Sequence, residues 1–259
     1  MSNDYILQSV KDGVKIIKFN RPAKKNAISR EMYAELTKIL NEDAQNDSIV
    51  VTVLTGVGEY YTSGNDLSSA SSMDADEDYE QMMDRRVEVV RRFVTAFIDY
   101  PKLLIAVVNG PCIGIGATTL SLCDVVYASD RATFLTPFVD LGICAEACSS
   151  YLYPRTMGRS KASEMLLLGR KITAQEAYEF GLVSKVVPHE RLGDVFNDLM
   201  KYGQLPVNTL KANKRLIMTN LKDRLHEINV TELKQLKECF TSEEMFAALA
   251  RFASRKSKL

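Results

Sequence analysis

Histidine is nearly absent from the sequence: only His189 and His226 occur, both in polar stretches and neither partnered by a nucleophile, and there is no Gly-x-Ser-x-Gly elbow. Serine-triad hydrolysis therefore has no basis in the chain. A Gly-Lys-Ser/Thr phosphate loop is also missing. Neither sign of charge is in excess, with 33 Lys+Arg against 33 Asp+Glu, so charge alone does not support nucleic-acid binding. No apolar run nears the roughly 20 residues of a membrane span. Asp4, Lys11, Asp12 and Lys15 stand where a secretory signal needs an apolar core. The expectation is a protein neither secreted by the usual route nor inserted in a membrane. The five cysteines (Cys112, Cys123, Cys144, Cys148 and Cys239) are odd in number and lack disulfide or zinc-ribbon spacing. They suit a reducing interior, mostly as small core hydrophobes, and no metal site is expected.

What is present is an ordinary globular composition: 259 residues, 46% hydrophobic and 25% charged, enough for one sizeable core with an appendage. Tyr5 to Val10 and Val14 to Phe19 flank Lys11-Asp-Gly13 and read as a β-hairpin with a three-residue linker. Ser29 suits an N-cap, and Met32, Leu36, Ile39 and Leu40 recur at helical spacing over 30–45. Ile49 to Leu54 and Leu103 to Val108 are continuous runs, the pattern of buried parallel strands. Between them lie the loop Gly56 to Leu67, an acidic segment Ser68 to Asp78, and a helix bearing Met82, Val90, Phe93, Val94 and Phe97 that Pro101 stops. Val125 to Ala128 and Thr133 to Leu135 add short strands. Past Glu146 the pattern is helical over 147–156, 160–168, 174–180, 190–202, 207–219 and 230–251, with a capping box at Thr173-Ala-Gln-Glu176 and a strand ending at Val187. The order βαβαβ followed by helices predicts an α/β architecture, with a core over 1–204 and a helical C-terminal region over 205–259.

Gly114-Ile-Gly116-Ala-Thr-Thr119 follows a strand and precedes a helix, but Thr119 replaces the third glycine of a dinucleotide fingerprint and the unit lies mid-chain. A second glycine turn, Ser63-Gly-Asn65, also follows a buried strand. Both glycines serve tight turns on one reading; on the other, the turns face one another and their N–H groups grip a carbonyl oxygen, stabilising an enolate. Glu146 is the only carboxylate between Asp140 and Glu164 and sits among Gly142, Ile143, Ala145 and Ala147. It fits a partly desolvated proton carrier and, equally, a carboxylate placed at a helix N-terminus for the dipole. The terminal Ser257-Lys258-Leu259 has the form of a peroxisomal address, which makes an import receptor an expected partner.

The chain resembles the crotonase (enoyl-CoA hydratase/isomerase) superfamily over essentially its whole length. The resemblance is carried by Asn20-Arg-Pro22 with Asn26-Ala27, Ser63-Gly-Asn-Asp-Leu67, Asn109-Gly-Pro-Cys-Ile-Gly114 through Cys123-Asp124, Pro137-Phe-Val-Asp-Leu-Gly142, and Thr173-Ala-Gln-Glu-Ala177 with Gly181-Leu-Val183. It implies a spiral of ββα units with a helical C-terminal trimerisation region, a homotrimer or dimer of trimers, and an acyl-CoA thioester as substrate, with no separate cofactor. The family's oxyanion amides carry over to Asn65 and Ile115. Its CoA-lining positions carry over to Ser63, Gly64, Asn65, Asp66 and Leu67 and to the Lys24, Lys25 and Ala27 loop, where either lysine is a phosphate partner or a solvated side chain; Phe138 also falls on the substrate site. The two hydratase glutamates correspond to Thr118 and Phe138, so both acids are missing. Ala145-Glu146-Ala-Cys-Ser-Ser150 is similar to the Pro-Glu-Gly-Cys-Ser-Ser segment of peroxisomal Δ3,Δ2-enoyl-CoA isomerases, where the glutamate is the base. The departures at Ala145 and Ala147 bear on backbone geometry. The implied activity is a double-bond shift in fatty-acid β-oxidation with Glu146 as the proton carrier, in the peroxisome. A non-catalytic acyl-CoA-binding protein and an enoyl-CoA hydratase are the alternatives.

Overall fold

The computed structural model describes residues 4–67 and 79–256; the acidic segment Ser68 to Asp78 and the terminal Ser257, Lys258 and Leu259 lie outside the described residues. β1 (Ile6–Lys11) and β2 (Val14–Phe19) pair antiparallel with Ile6 opposite Phe19. Their turn is two residues rather than the expected three, because Lys11 pairs with Val14 and leaves Asp12 (φ 49°) and Gly13 (φ 79°). Positive φ at both positions is the type I′ geometry whose twist matches a hairpin.

α1 (Arg30–Gln45) begins at Ser29, whose hydroxyl accepts the Met32 amide, and buries Met32, Tyr33, Leu36, Ile39 and Leu40. β3 (Val51–Gly56), α2 (Tyr79–Asp99), β4 (Leu103–Val108), β5 (Cys112–Ile113) and the single turn α3 (Ile115–Thr118) follow. Next come β6 (Val125–Ser129), β7 (Thr133–Leu135), α4 (Ser149–Leu166), β8 (Ile172–Thr173), α5 (Ala174–Glu179), β9 (Lys185–Val187), α6 (Leu192–Met200), α7 (Val207–Met218), α8 (Lys222–Phe240) and α9 (Glu243–Lys256). One sheet has the order β1-β2-β3-β4-β6-β9, parallel except for the hairpin, and β5-β7-β8 form a small second sheet.

The continuous apolar runs follow from burial on both faces. In β4, Leu104, Ala106 and Val108 enter the core shared with α1 and α2, while Ile105 and Val107 enter a second core with Val195 and Leu199 of α6. The two helices expected over 147–156 and 160–168 are the two limbs of α4, which meet at a kink where Gly158 leaves helical geometry (φ 77°, ψ 153°). Conversely, the helix expected over 230–251 is two: α8 ends at Phe240, and Ser242 starts the next by accepting the Met245 amide at 3.2 Å. α8 lies along α2, where Tyr79 donates to the Phe240 carbonyl at 2.6 Å, and its Leu225 joins the main core. Among the described residues no helix is long and apolar enough to cross a membrane.

Candidate active site

Two buried asparagines shape the loop after β3. Asn109 accepts the Gly56 amide at 3.0 Å and donates to the Gly58 carbonyl at 2.8 Å. Asn26 accepts the Arg21 amide at 2.9 Å and donates to the carbonyls of Val57 (2.9 Å) and Tyr60 (2.7 Å). Each satisfies backbone groups that the turn would otherwise bury unpaired. The loop is thereby laid against the chain leaving β4: Thr62 and Cys112 form a parallel bridge, with the Ile113 amide donating to the Thr62 carbonyl at 3.0 Å. On its other side Ile28 and Asn65 form a second bridge through Ile28 N–H to Gly64 O (2.8 Å) and Asp66 N–H to Ile28 O (3.0 Å).

This braid brings the two glycine turns together. Gly64 has φ 83° and Gly114 φ 59°; a Cβ on Gly64 would fall 2.8 Å from the Ile113 carbonyl oxygen, and one on Gly114 would fall 3.8 Å from the Gly64 Cα. The Asn65 amide stands outside both bridges, and the Ile115 amide opens α3 ahead of any intrahelical acceptor. Neither donates to a described residue. Two unspent N–H groups on abutting turns suit a developing oxyanion. Tyr33 fixes the Asn65 side chain by donating to its Oδ1, and packs edge-on to Phe93 with centroids 4.8 Å apart. Tyr153 ties α4 to α3 by donating to the Ala117 carbonyl at 2.9 Å.

Glu146 lies just before α4 and is 1% exposed. Its carboxyl group titrates at about 8 against an ordinary 4.5, because burial disfavours the charge and Glu232 adds a second negative charge nearby. Tyr33 also lies within range of the Glu146 charge. The following Ala147 (φ 55°) and Cys148 (φ 61°) are both left-handed, a conformation that costs roughly 1–2 kcal/mol per non-glycine residue. The turn is held by Ser149, which donates from its hydroxyl to the Glu146 carbonyl at 2.7 Å, and by Glu232 of α8. That side chain accepts the Cys148 amide at 2.7 Å and the Ser150 amide at 2.9 Å.

The two positions where the resemblance expects hydratase acids hold groups unable to serve as acids. Thr118 is fully buried and directs its hydroxyl back to the Ile115 carbonyl at 3.2 Å; Phe138 is apolar and 2% exposed. The Phe138 carbonyl accepts the Ile143 amide at 2.9 Å. The Lys24 to Ala27 loop lies beside Ser63, whose amide donates to the Lys25 carbonyl at 2.9 Å. Lys24 and Lys25 are exposed, with the Lys25 ammonium 5.2 Å from the Tyr60 ring centroid, while Leu67 is 39% exposed. Asp66 pairs with Arg21 at 2.9 Å, and the same guanidinium donates to the Ala27 carbonyl at 2.6 Å, bracing the two loops. Both histidines are half-buried; His189 has a hydroxyl partner that the sequence did not show, Ser129 at 3.0 Å, but that serine is fully buried, and His226 meets Asp99 at 3.0 Å. Sequence reasoning missed Tyr33 and Glu232. The signal for Glu232 was a charged residue on the buried stripe of α8, with Leu225, Asn229, Leu233 and Leu236.

The sequence profile of the enoyl-CoA hydratase/isomerase family matches residues 9–258. The chain belongs to that family. Enoyl-CoA delta isomerase 2 of Rattus norvegicus is 48% identical over 98% of this chain, and the chain spans 64% of that protein's own length. Enoyl-CoA delta isomerase 3, peroxisomal, of Mus musculus is 45% identical, over 98% of this chain and 79% of its own length. An enoyl-CoA hydratase/isomerase from Pseudoalteromonas atlantica T6c superposes with a TM-score of 0.88 at 32% identity, covering 97% of each chain. The fold is accordingly the α/β crotonase fold of this family, with a helical C-terminal part.

Proposed function

We propose that this chain is a Δ3,Δ2-enoyl-CoA isomerase. Ionised Glu146 removes a proton from carbon 2 of a 3-enoyl-CoA. Negative charge moves onto the thioester oxygen, where the Asn65 and Ile115 amides hold it, and the proton returns from Glu146 to carbon 4 as the double bond settles between carbons 2 and 3. No atom is gained or lost and the carboxylate is regenerated, so one acid suffices and no cofactor beyond the coenzyme A of the substrate takes part. The observation that carries this reading is a buried carboxyl group of raised proton affinity, within electrostatic reach of the Tyr33 that holds Asn65, in a chain with two unspent amides on abutting turns; the resemblance adds that Thr118 and Phe138 stand where hydratases have their acids. The isomerase names of the rat and mouse relatives support it. Loss of even one oxyanion donor costs about 3–4 kcal/mol in comparable sites, which sets the scale of this contribution.

The reading extends to a peroxisomal location, supported by Ser257-Lys258-Leu259 and by the name of the mouse relative, and to a trimer or dimer of trimers, supported by exposed Leu167, Leu168, Leu216 and Ile217. Fluorescent fusions with and without the last three residues test the first; light scattering tests the second. The catalytic reading is tested with Glu146→Gln, which keeps shape and removes the base. Turnover of 3-enoyl-CoA should fall by at least about a thousandfold while acyl-CoA still binds; near-normal turnover contradicts the assignment, and acyl-CoA binding by a wild-type protein that never converts it points to a scaffold instead.

A further inference from the structure

The turn that carries Glu146 has an unusual support. Two consecutive non-glycine residues, Ala147 and Cys148, stand at positive φ (55° and 61°), so nothing intrinsic to them favours the shape. Such a turn exposes successive backbone N–H groups on one side, a concavity suited to an anion. The anion is supplied by the chain itself, from 84 residues away in sequence: Glu232 takes the Cys148 amide on one oxygen at 2.7 Å and the Ser150 amide on the other at 2.9 Å. Burial pushes the Glu232 carboxyl group above the usual carboxylate range, and the two donated bonds work against that by favouring its ionised form. Glu232 is 6% exposed, on the face of α8 that packs inward with Leu233 and Leu236. Burying a carboxylate is costly unless it is fully used, and this one serves as the clamp.

We propose that Glu232 is the positioning residue of the site, its carboxylate clamping the left-handed turn at Cys148 and Ser150 so that Glu146 is held in place for proton transfer. This rests on the reading of Glu146 as the proton carrier. A second consequence comes with the geometry: the groups facing Glu146 are Glu232 from α8, Tyr33 from α1 and Cys144 from its own loop, and of these only Glu232 is a second carboxyl group, whose negative charge when ionised acts on Glu146. That charge raises the proton affinity of Glu146, whereas loss of the clamp loosens its position. The two effects separate experimentally.

The test compares wild type, Glu232→Gln and Glu232→Asp in steady-state turnover of a 3-enoyl-CoA between pH 5.5 and 9.5, with folding checked by circular dichroism. Glu232→Gln removes the charge and spoils one of the two acceptors. Its kcat should fall about tenfold or more with KM little changed, and the midpoint of the rising limb of kcat/KM should move down by on the order of 0.5 to 1 pH unit, as removal of a nearby like charge requires. Glu232→Asp keeps the charge but withdraws it, so kcat falls while the midpoint stays within about 0.3 of wild type; this variant carries the test if the glutamine variant does not fold. An unmoved midpoint in Glu232→Gln, or unchanged kcat in both variants, overturns the proposal. Carboxyl carbon NMR titration of Glu146, assigned by its loss in Glu146→Gln, reads the same midpoint without turnover. A shifted NMR midpoint in a wild-type background that never isomerises substrate would indict the isomerase reading and leave the clamp standing.

Discussion

Replacing Glu146 by glutamine should make the protein more stable at alkaline pH. A carboxyl group in the unfolded chain titrates near 4.5, whereas Glu146 in the folded protein titrates near 8. Below 4.5 both states hold the proton and the group contributes no pH dependence. Between those values the unfolded chain releases a proton that the folded one keeps, so wild-type stability falls as pH rises; above about 8 both have released it and the loss is complete. At ~1.4 kcal/mol per pH unit, the interval amounts to about 5 kcal/mol, an upper bound because water reaches buried sites on local opening. Glutamine has no proton to lose. The difference in unfolding free energy between Glu146→Gln and wild type, measured in urea at fixed protomer concentration, should therefore grow from near zero at pH 4.5 to several kcal/mol at pH 8.5. Subtracting wild type from variant cancels the other titrations. A difference that stays constant within about 0.5 kcal/mol across that range would refute the claim that Glu146 is desolvated and proton-hungry.

Other substitutions test the turns around it. Ala147→Gly relieves a left-handed alanine at φ 55° and should raise stability by about 0.5–1 kcal/mol after glycine's entropy in the unfolded chain is subtracted, seen as a higher urea midpoint. Gly64→Ala places a methyl 2.8 Å from the Ile113 carbonyl oxygen at φ 83°; it should cost about 2–4 kcal/mol and lower kcat on the order of a hundredfold by displacing the Asn65 amide, and retained kcat would argue against that donor. Tyr33→Phe removes the hydroxyl that holds Asn65 Oδ1; stability should drop by about 1 kcal/mol in denaturation, and kcat should fall several-fold with little change in KM.

The legible parts of the sequence were those where local chemistry and tertiary context agree. β4 is apolar at every position because both its faces are covered, and the Ser29 and Thr173 caps sit where their hydroxyls predict. Glu146 stood out because no other acid lies near it in sequence, and the resemblance assigned it a role that spacing alone left open. The clamp was illegible for the opposite reason. Glu232 reaches the turn across the fold, and the helix bearing it was placed from 230 instead of beginning at Lys222, which hid the stripe containing Leu225 and Asn229. Tyr33 was likewise concealed in an ordinary amphipathic pattern: it follows Met32 on α1, and only its hydroxyl contact with Asn65 distinguishes it from core packing. Ala147 and Cys148 carry no left-handed signal as residue types; their conformation is set by the groups that hold them.

The central claim is that one carboxylate moves one proton within the substrate and adds no water. Incubating the protein with a 3-enoyl-CoA and measuring the product by mass spectrometry and chromatography tests it directly. The expected product is 2-trans-enoyl-CoA of unchanged mass, formed by wild type and not by Glu146→Gln; a product heavier by one water, or equal conversion by the variant, would contradict single-carboxylate isomerisation.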